Sequence, residues 1–587
     1  MAGTRLEVSA RELLLVALGA IVASVVMNWP LVLNLGEDVP KDLGDPLVQA
    51  WQVGWGGHAL THQPLDFFQS NQFWPLADTL AFSDALIGYA PAGLIGSGSE
   101  AAIARYDVLF LFAYALAFLG AYLLARELGV GPPGAFVAGA AFAFAPFRLE
   151  QDGHMHVISS GGIPLAFAIG LRGYRLRRPW VVVAGFAVAT WQLLIGFSLG
   201  LPLAYLLAAL SMFAAIVWLR RGRPALDRRL VIATAVGAAL FIATAAVISR
   251  PYMRVADEYP EATRGPAEVD TYSGGPQLFL VAPDENLVWG KATEAIRDGL
   301  ANVPEKTLFP GLLIVALAIA GMWSSSYPRW LRIALGAGVV IVSVLALGFQ
   351  QPGGLLWPYR VIYEVLPGWE GIRTPGRLVT FSSLGLALLA AAGTERAMRA
   401  LAESERVRTP RLAYAAPVAL AGVLALAVAV EGRGLPFDPF DNAAQPSPPG
   451  PPADVSAIAA PQLHLPAERP EDNRRYLLWS TDGFPDMING RSSTNPTFTA
   501  RVIERARRFP DPRSTSYLRR LGVRSVVIHP RRTRRARWRR DSHPPTAGLG
   551  VTRRREGNEI VYEIGSPTGS SATGIRSGLR SSRRRSQ

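Results

Sequence analysis

The chain is 587 residues long, 50% hydrophobic and only 18% charged, where a water-soluble multidomain chain carries roughly 25% charge, so a wholly soluble protein is excluded. It has no cysteine, which rules out a disulfide framework, a thiolate metal site and a cysteine nucleophile. The net charge of +14 sits at one end: from Arg501 onward stand 23 arginines, no lysine and six acids, a net of +17 that leaves −3 for the first 500 residues.

Apolar runs of about 17 to 22 residues recur through the first 430 positions, the pattern of helices crossing a bilayer. The first spans about 13 to 35 after Arg5 and Arg11 and is long for a signal-peptide core, which predicts an uncleaved helix with a cytoplasmic N-terminus. It is followed by GEDVPKDLGDP, where Glu37, Asp38, Asp42 and Asp45 gather. Such carboxylates could coordinate a divalent cation through hard oxygen ligands, with Glu37 and Asp38 as metal candidates, or act as a general base on a sugar hydroxyl. A solvated loop whose Asp and Gly make turns is the alternative. Asp45 is the first choice for a base, with Asp42 second, because GDP runs straight into a helix start. Within that helix, Trp51 and Trp55 stand four apart, which predicts a face lying in the membrane interface. Ser83 to Ile95 is predicted to lie there too, with Asp84 at its start.

Later runs fall near 106–125, 134–147, 158–171, 180–197, 199–219, 230–248, 308–323, 330–348, 377–394 and 412–430. Alternating from a cytoplasmic N-terminus, the inner connections hold the arginines, among them Arg126, Arg172, Arg175, Arg220, Arg221, Arg228 and Arg396, as the positive-inside rule requires. The outer connections, about 36–105, 150–156, 250–307 and 350–376, are long or acidic. The short one, RLEQDGHMHV, offers Glu150, Asp152, His154 and His156, which could meet a metal or a phosphate, or simply be polar lip residues. The last, GWEGIRTPGRL, puts Arg373 and Arg377 about Pro375 at a helix N-terminus, a plausible phosphate clamp. Pairing with Glu370 is the competing structural reading.

Residues 431–470 are rich in Pro and Ala and read as a linker. In 471–564, RRYLLWS and VRSVVIH read as strands, with helices at about 498–508 and 516–521, the latter ended by Gly522: a small α/β domain. The arginine runs 531–540 and 583–585 lack interleaved aromatics apart from Trp538, which disfavours nucleic acid and favours a disordered arm, 565–587 included, that meets anionic lipid or polymer. The expected fold class is thus an all-α polytopic membrane bundle, 1–430, of about eleven transmembrane helices, followed by an extracytoplasmic α/β domain.

This layout, a first helix, an acidic outer loop with interface helices, more helices and an outer C-terminal domain, resembles the C-type (GT-C) fold of membrane glycosyltransferases. GDPLVQAWQVGW, QDGHMHV, PYMRV, YSGGPQLFLVAPDENLVWG, IRTPGRL, STDGFPDMINGRSS and LRRLGVRSVVIHP further resemble, in order along the chain, a group of bacterial polytopic proteins near that superfamily. The resemblance implies transfer of a sugar from a polyprenyl-phosphate donor to an envelope glycan, lipid or protein acceptor. By position it implies that Asp45 or Asp42 takes the first-loop acidic role and that Arg373 and Arg377 take the lipid phosphate. His154 would lie at the rim of the same cavity, and His156, Asp84 and Arg254 are further substrate candidates. The tight Asp-Glu pair of better-known enzymes is replaced by the reversed Glu37-Asp38. A divalent cation, Mg or Mn, is the one cofactor expected. A lipid-linked sugar transporter is disfavoured by the lack of a clear internal repeat and of ionisable residues inside the runs; a non-catalytic envelope scaffold is the other alternative.

Overall fold

The computed structural model describes residues 8–349, 358–404, 410–437, 444–451, 454–539 and 544–565. The expected tail 565–587, with its Arg583–Arg585 run, lies outside them apart from Gly565, as does all of 350–357. The chain is mostly helical and divides into two compact units. One comprises Met1–Leu35, Asp107–Ile248 and Arg264–Ala444; the other comprises Gly36–Tyr106, Ser249–Thr263 and Gln445–Gln587. This division groups 36–106 with the C-terminal residues and so runs across the expected boundaries at 430 and 470.

In chain order the longer helices are α1 (Ala10–Met27), α2 (Asp45–His62), α3 (Gly98–Glu127), α4 (Pro132–Ala143), α5 (Gly162–Arg175), α6 (Pro179–Ile195), α7 (Phe197–Arg220), α8 (Arg228–Glu258), α9 (Leu312–Gly321), α10 (Arg329–Ala346), α11 (Val379–Ala402) and α12 (Pro410–Arg433). Each expected apolar run falls on one of them. Among the described residues seven spans are long and apolar enough to cross a membrane, while α6 and α9 are apolar but shorter. The first ends at Met27 rather than near 35: the Asn28 side-chain amide donates to the Ser24 carbonyl at 2.7 Å, and Pro30 lacks the N–H another turn would need.

In the first unit α11 is the hub, with 78% of its most apolar window buried, against 6% for α10. Side chains such as Ile333, Val340 and Ile341 of α10 are exposed, as helices bathed in lipid require. Burial of α11 depends on small residues that let backbones approach. A Cβ on Gly393 would stand 1.9 Å from the Leu317 carbonyl oxygen of α9, and one on Gly321 2.0 Å from that of Leu389. The start of α9 is closed by a side chain distant in sequence: the Glu431 carboxylate accepts the N–H groups of Leu312 at 2.8 Å and Leu313 at 3.0 Å, and the Trp289 indole N–H at 3.0 Å. Leaving those donors unanswered costs about 1–3 kcal/mol. Glu431→Leu is therefore expected to lower the thermal midpoint of the detergent-purified protein by several degrees, and Glu431→Gln, which keeps an acceptor oxygen, by less; an unshifted midpoint in the leucine variant would remove this cap from the fold.

In the second unit, α2 buries Trp51 and Trp55 at 0% and 2% exposure. Their indole N–H groups donate to Asn71 Oδ1 and to the Phe67 carbonyl, each at 3.0 Å. The expectation of an interface-lying tryptophan face is thus corrected: the rings fill protein core. Ser83–Ile95 likewise contains a 3-10 turn, Ile87–Leu94, rather than an amphipathic α-helix. The C-terminal residues form a four-stranded mixed sheet from β1 (Gln462–Leu465), β2 (Ser525–Ile528), β3 (Val551–Glu556) and β4 (Glu559–Ile564), in the order β1-β2-β4-β3. β1 and β2 run parallel, with Leu463 opposite Val526, and the other pairs are antiparallel. β1 lies inside the stretch expected as a linker. Helices α13 (Pro470–Trp479), α14 (Thr497–Ala506) and α15 (Pro512–Leu521) accompany the sheet. RRYLLWS, expected as a strand, belongs to α13, because Pro470, Glu471 and Asp472 supply a helix first turn. α15 carries a capping box from Asp511 and Ser514 and ends at Gly522 with φ of 87°, as expected.

Candidate active site

In the first unit, the 3-10 turn Pro375–Leu378 leads into α11 and carries Arg377 inward. Its guanidinium makes a two-point fork with the buried Glu305, Nε to Oε2 at 3.1 Å and the second nitrogen to Oε1 at 2.5 Å. The remaining nitrogen donates to His156 Nε2 at 2.7 Å, so that ring is neutral, with its own proton on Nδ1. The His154 ring lies edge-on to His156, 5.8 Å between centroids. Arg373 is more accessible, at 27% exposure; it pairs with Glu268 at 3.2 Å, and its guanidinium carbon lies 5.5 Å from the centre of the Tyr272 ring. Arg264 pairs with the same Glu268 at 2.9 Å. In the ion pairs among the described residues, these three guanidinium groups meet two carboxylates, Glu268 and Glu305. These, and not the expected Glu370, are the acids that Arg373 and Arg377 face, and both come from the connection between α8 and α9.

Burial holds the His156 pKa well below 6.5, with Arg377, His154 and Arg373 acting the same way. Burial alone would raise the Glu305 carboxyl, but Arg377, His154 and Arg373 overcome it and hold the group below 4.5. Both groups bind fewer protons folded than unfolded, so their contribution is complete above 6.5 and is lost as pH falls, first through His156 and then, below 4.5, through Glu305. The thermal midpoint is expected to drop as pH is lowered from 7 towards 5, as His156 and other histidines depressed in the folded state take up protons on unfolding. His156→Gln keeps an acceptor for Arg377 and should flatten that slope in part, since buried His464 is depressed in the same direction. A slope identical to that of the wild type would exclude His156.

The other polar residues of RLEQDGHMHV go elsewhere. Asp152 accepts from Arg433 and from the Tyr114 hydroxyl, a buried ion pair over which Arg148 lies 5.1 Å from the Tyr114 ring centre. Glu150, Asp284 and Glu285 bring carboxylate oxygens within 4.8 Å of one another, a donor set suited to a hard divalent cation. Among the described residues Glu37, Asp38, Asp42 and Asp45 form no such group of three, and Asp42 turns back to accept the Gly44 N–H at 2.6 Å.

In the second unit, Asp45 opens α2 beside Pro46 and is half-exposed, with the Arg474 guanidinium of α13 at 3.9 Å. Arg474 was hidden by the strand reading of its segment. The Asp84 carbonyl accepts from Gln52 Nε2 at 3.0 Å, and Tyr252 donates to the neighbouring Ser83 carbonyl at 3.2 Å. Arg254 is held in a fork by Asp78, at 2.7 and 3.0 Å, with 59% of its side chain exposed.

The helices long and apolar enough to span a bilayer make the chain a multi-pass membrane protein, and the fold carrying these residues is shared with a solved arabinofuranosyltransferase. Among solved structures it is similar to arabinofuranosyltransferase AftD from Mycobacteria, with a TM-score of 0.53 and 14% identity over 95% of this chain. A mutant of AftD matches with a TM-score of 0.51 and 14% identity over 96% of this chain. The chain spans 40% and 42% of the length of those two chains. No protein-family model and no curated protein matches it.

Proposed function

We propose that this protein transfers a sugar from a polyprenyl-phosphate donor to a hydroxyl-bearing acceptor on the extracytoplasmic side, with its N-terminus in the cytoplasm. The observation that carries the proposal is the guanidinium cluster of Arg264, Arg373 and Arg377 at the entrance to α11, within a C-type fold. Arg373, the more accessible of the last two, takes the donor phosphate, and Arg377, locked by Glu305 and His156, positions that turn. The bond from the anomeric carbon to the phosphate oxygen breaks as one from that carbon to the acceptor oxygen forms. The acceptor proton passes to a carboxylate base, for which the resemblance, rather than any geometry relating it to the arginines, makes Asp45 of the second unit the candidate, and the polyprenyl phosphate leaves with charge stabilised by arginine. A divalent cation held by Glu150, Asp284 and Glu285 would supply further positive charge for an anionic donor. Manganese titration followed by electron paramagnetic resonance should show a bound ion that Asp284→Asn weakens at least about tenfold, as expected when a hard cation loses a charged oxygen ligand.

Sealed vesicles containing the protein and a labelled lipid-linked sugar separate transfer from transport. Transfer is supported if label leaves the lipid for an added acceptor. Label that crosses the bilayer still attached to its lipid would establish transport instead.

A further inference from the structure

We infer that the C-terminal part of the second unit presents a docking face for a water-soluble anionic glycan polymer. This goes beyond the glycosyl-transfer reading and does not depend on it. From Arg501 to Arg539 the chain carries fourteen arginines and two acids. The structure does not leave the run 531–539 as the arm expected from composition. Arg535 donates to the Arg507 carbonyl at 2.7 Å, Arg537 donates to that of Arg508, and the fully buried Trp538 donates its indole N–H to the Phe509 carbonyl at 2.6 Å. One arginine-rich segment is thereby clamped alongside another. Arg507, Arg508, Arg531, Arg534, Arg537 and Arg539 are exposed there, and Arg535 is half-buried. Among the described residues, two carboxylates answer these seven guanidiniums: Glu504, 2.7 Å from Arg507, and Glu468, 2.5 Å from Arg535 and 3.7 Å from Arg507. Arg532 is already taken by Asp472 at 2.5 Å.

Drawing like charges together costs free energy, and the hydrophobic core here is made by Trp538, Phe509, Val502, Leu518 and Tyr562, not by the exposed arginines. A carboxylate- or phosphate-bearing chain relieves the repulsion, since the planar guanidinium fork matches both groups. The chemistry also separates the possible polyanions. Among the described residues beyond 444 no large hydrophobic side chain is exposed, so the face has nothing to insert into a lipid interface. The one aromatic in the run, Trp538, is buried, so it has no platform for stacking bases.

The test uses the full-length protein in zwitterionic nanodiscs with fluorescent polygalacturonate as the probe and neutral dextran as its control. Polygalacturonate should bind and dextran should not, with affinity falling at least about tenfold between roughly 50 and 200 mM salt. The exposed-site triple variant R531Q/R534Q/R539Q should weaken binding at least about tenfold and lower the salt slope by about two to three. The corresponding triple lysine variant, which keeps the charge, should retain most of the affinity, and both variants should keep the wild-type thermal midpoint. Unchanged binding by the glutamine variant, or equal binding of dextran, would overturn the inference. Loss of polygalacturonate binding in phosphatidylglycerol nanodiscs would assign the face to lipid, and tighter binding of a single-stranded oligonucleotide at matched salt would assign it to nucleic acid; either outcome overturns it.

Discussion

Asp45→Asn is expected to reduce sugar transfer by about 10²- to 10⁴-fold, the contribution of a positioned general base. The exchange removes the proton-accepting charge and keeps the size and shape of the side chain. Its structural consequences should be small, because Asp45 is half-exposed and its ion pair with Arg474 is long, at 3.9 Å. Membrane insertion and the thermal midpoint should therefore match the wild type while labelled product disappears. Asp42→Asn is the internal comparison. Asp42 turns back on the Gly44 N–H, and asparagine keeps an oxygen that accepts it, so this exchange should leave the start of α2 in place and reduce activity far less. Full activity in Asp45→Asn would remove that residue from the mechanism, and loss in Asp42→Asn alone would transfer the role.

The second large effect is on Arg377. Its fork with Glu305 is buried at both ends, with 10% and 9% of the side chains exposed, so truncation to alanine strands a carboxylate without its countercharge. Breaking such a pair from one side costs about 3–5 kcal/mol. Arg377→Ala should therefore fail to accumulate or show a sharply lowered thermal midpoint. Arg377→Ala combined with Glu305→Gln, which neutralises the stranded charge, should recover much of the stability but not the activity. Stability recovered without turnover separates positioning the phosphate-binding turn from holding the fold. A single Arg377→Ala variant as stable as the wild type would contradict the buried-pair geometry.

The helices were legible because each apolar run had to satisfy its own backbone, and Arg377 because a proline-led helix start announces itself locally. The acids that hold the arginines were not legible. Glu268 and Glu305 stand 105 and 72 residues from Arg373 and Arg377, and local spacing pointed instead to Glu370. The same distance in sequence hid the Glu431 cap on α9 and the grouping of Glu150 with Asp284 and Glu285. Arg474 was hidden for a different reason. The short apolar and aromatic run in RRYLLWS suggested a strand, while the stronger signal lay just upstream in Pro470, Glu471 and Asp472, whose fixed φ and first-turn negative charge favour a helix. Trp51 and Trp55 show the limit of composition alone: amphipathic spacing gives the face of a helix but does not say whether lipid or protein covers it, and here Asn71 and Phe67 take their indole N–H groups.

The most direct test of sugar transfer is turnover of radiolabelled polyprenyl-phosphate sugars by the purified protein in lipid nanodiscs, measured for the wild type, Asp45→Asn and Arg373→Ala. Consumption of one donor by the wild type, with transfer lost in Asp45→Asn and donor affinity lowered in Arg373→Ala, is the expected result. A wild-type protein that neither binds nor consumes any donor would contradict it.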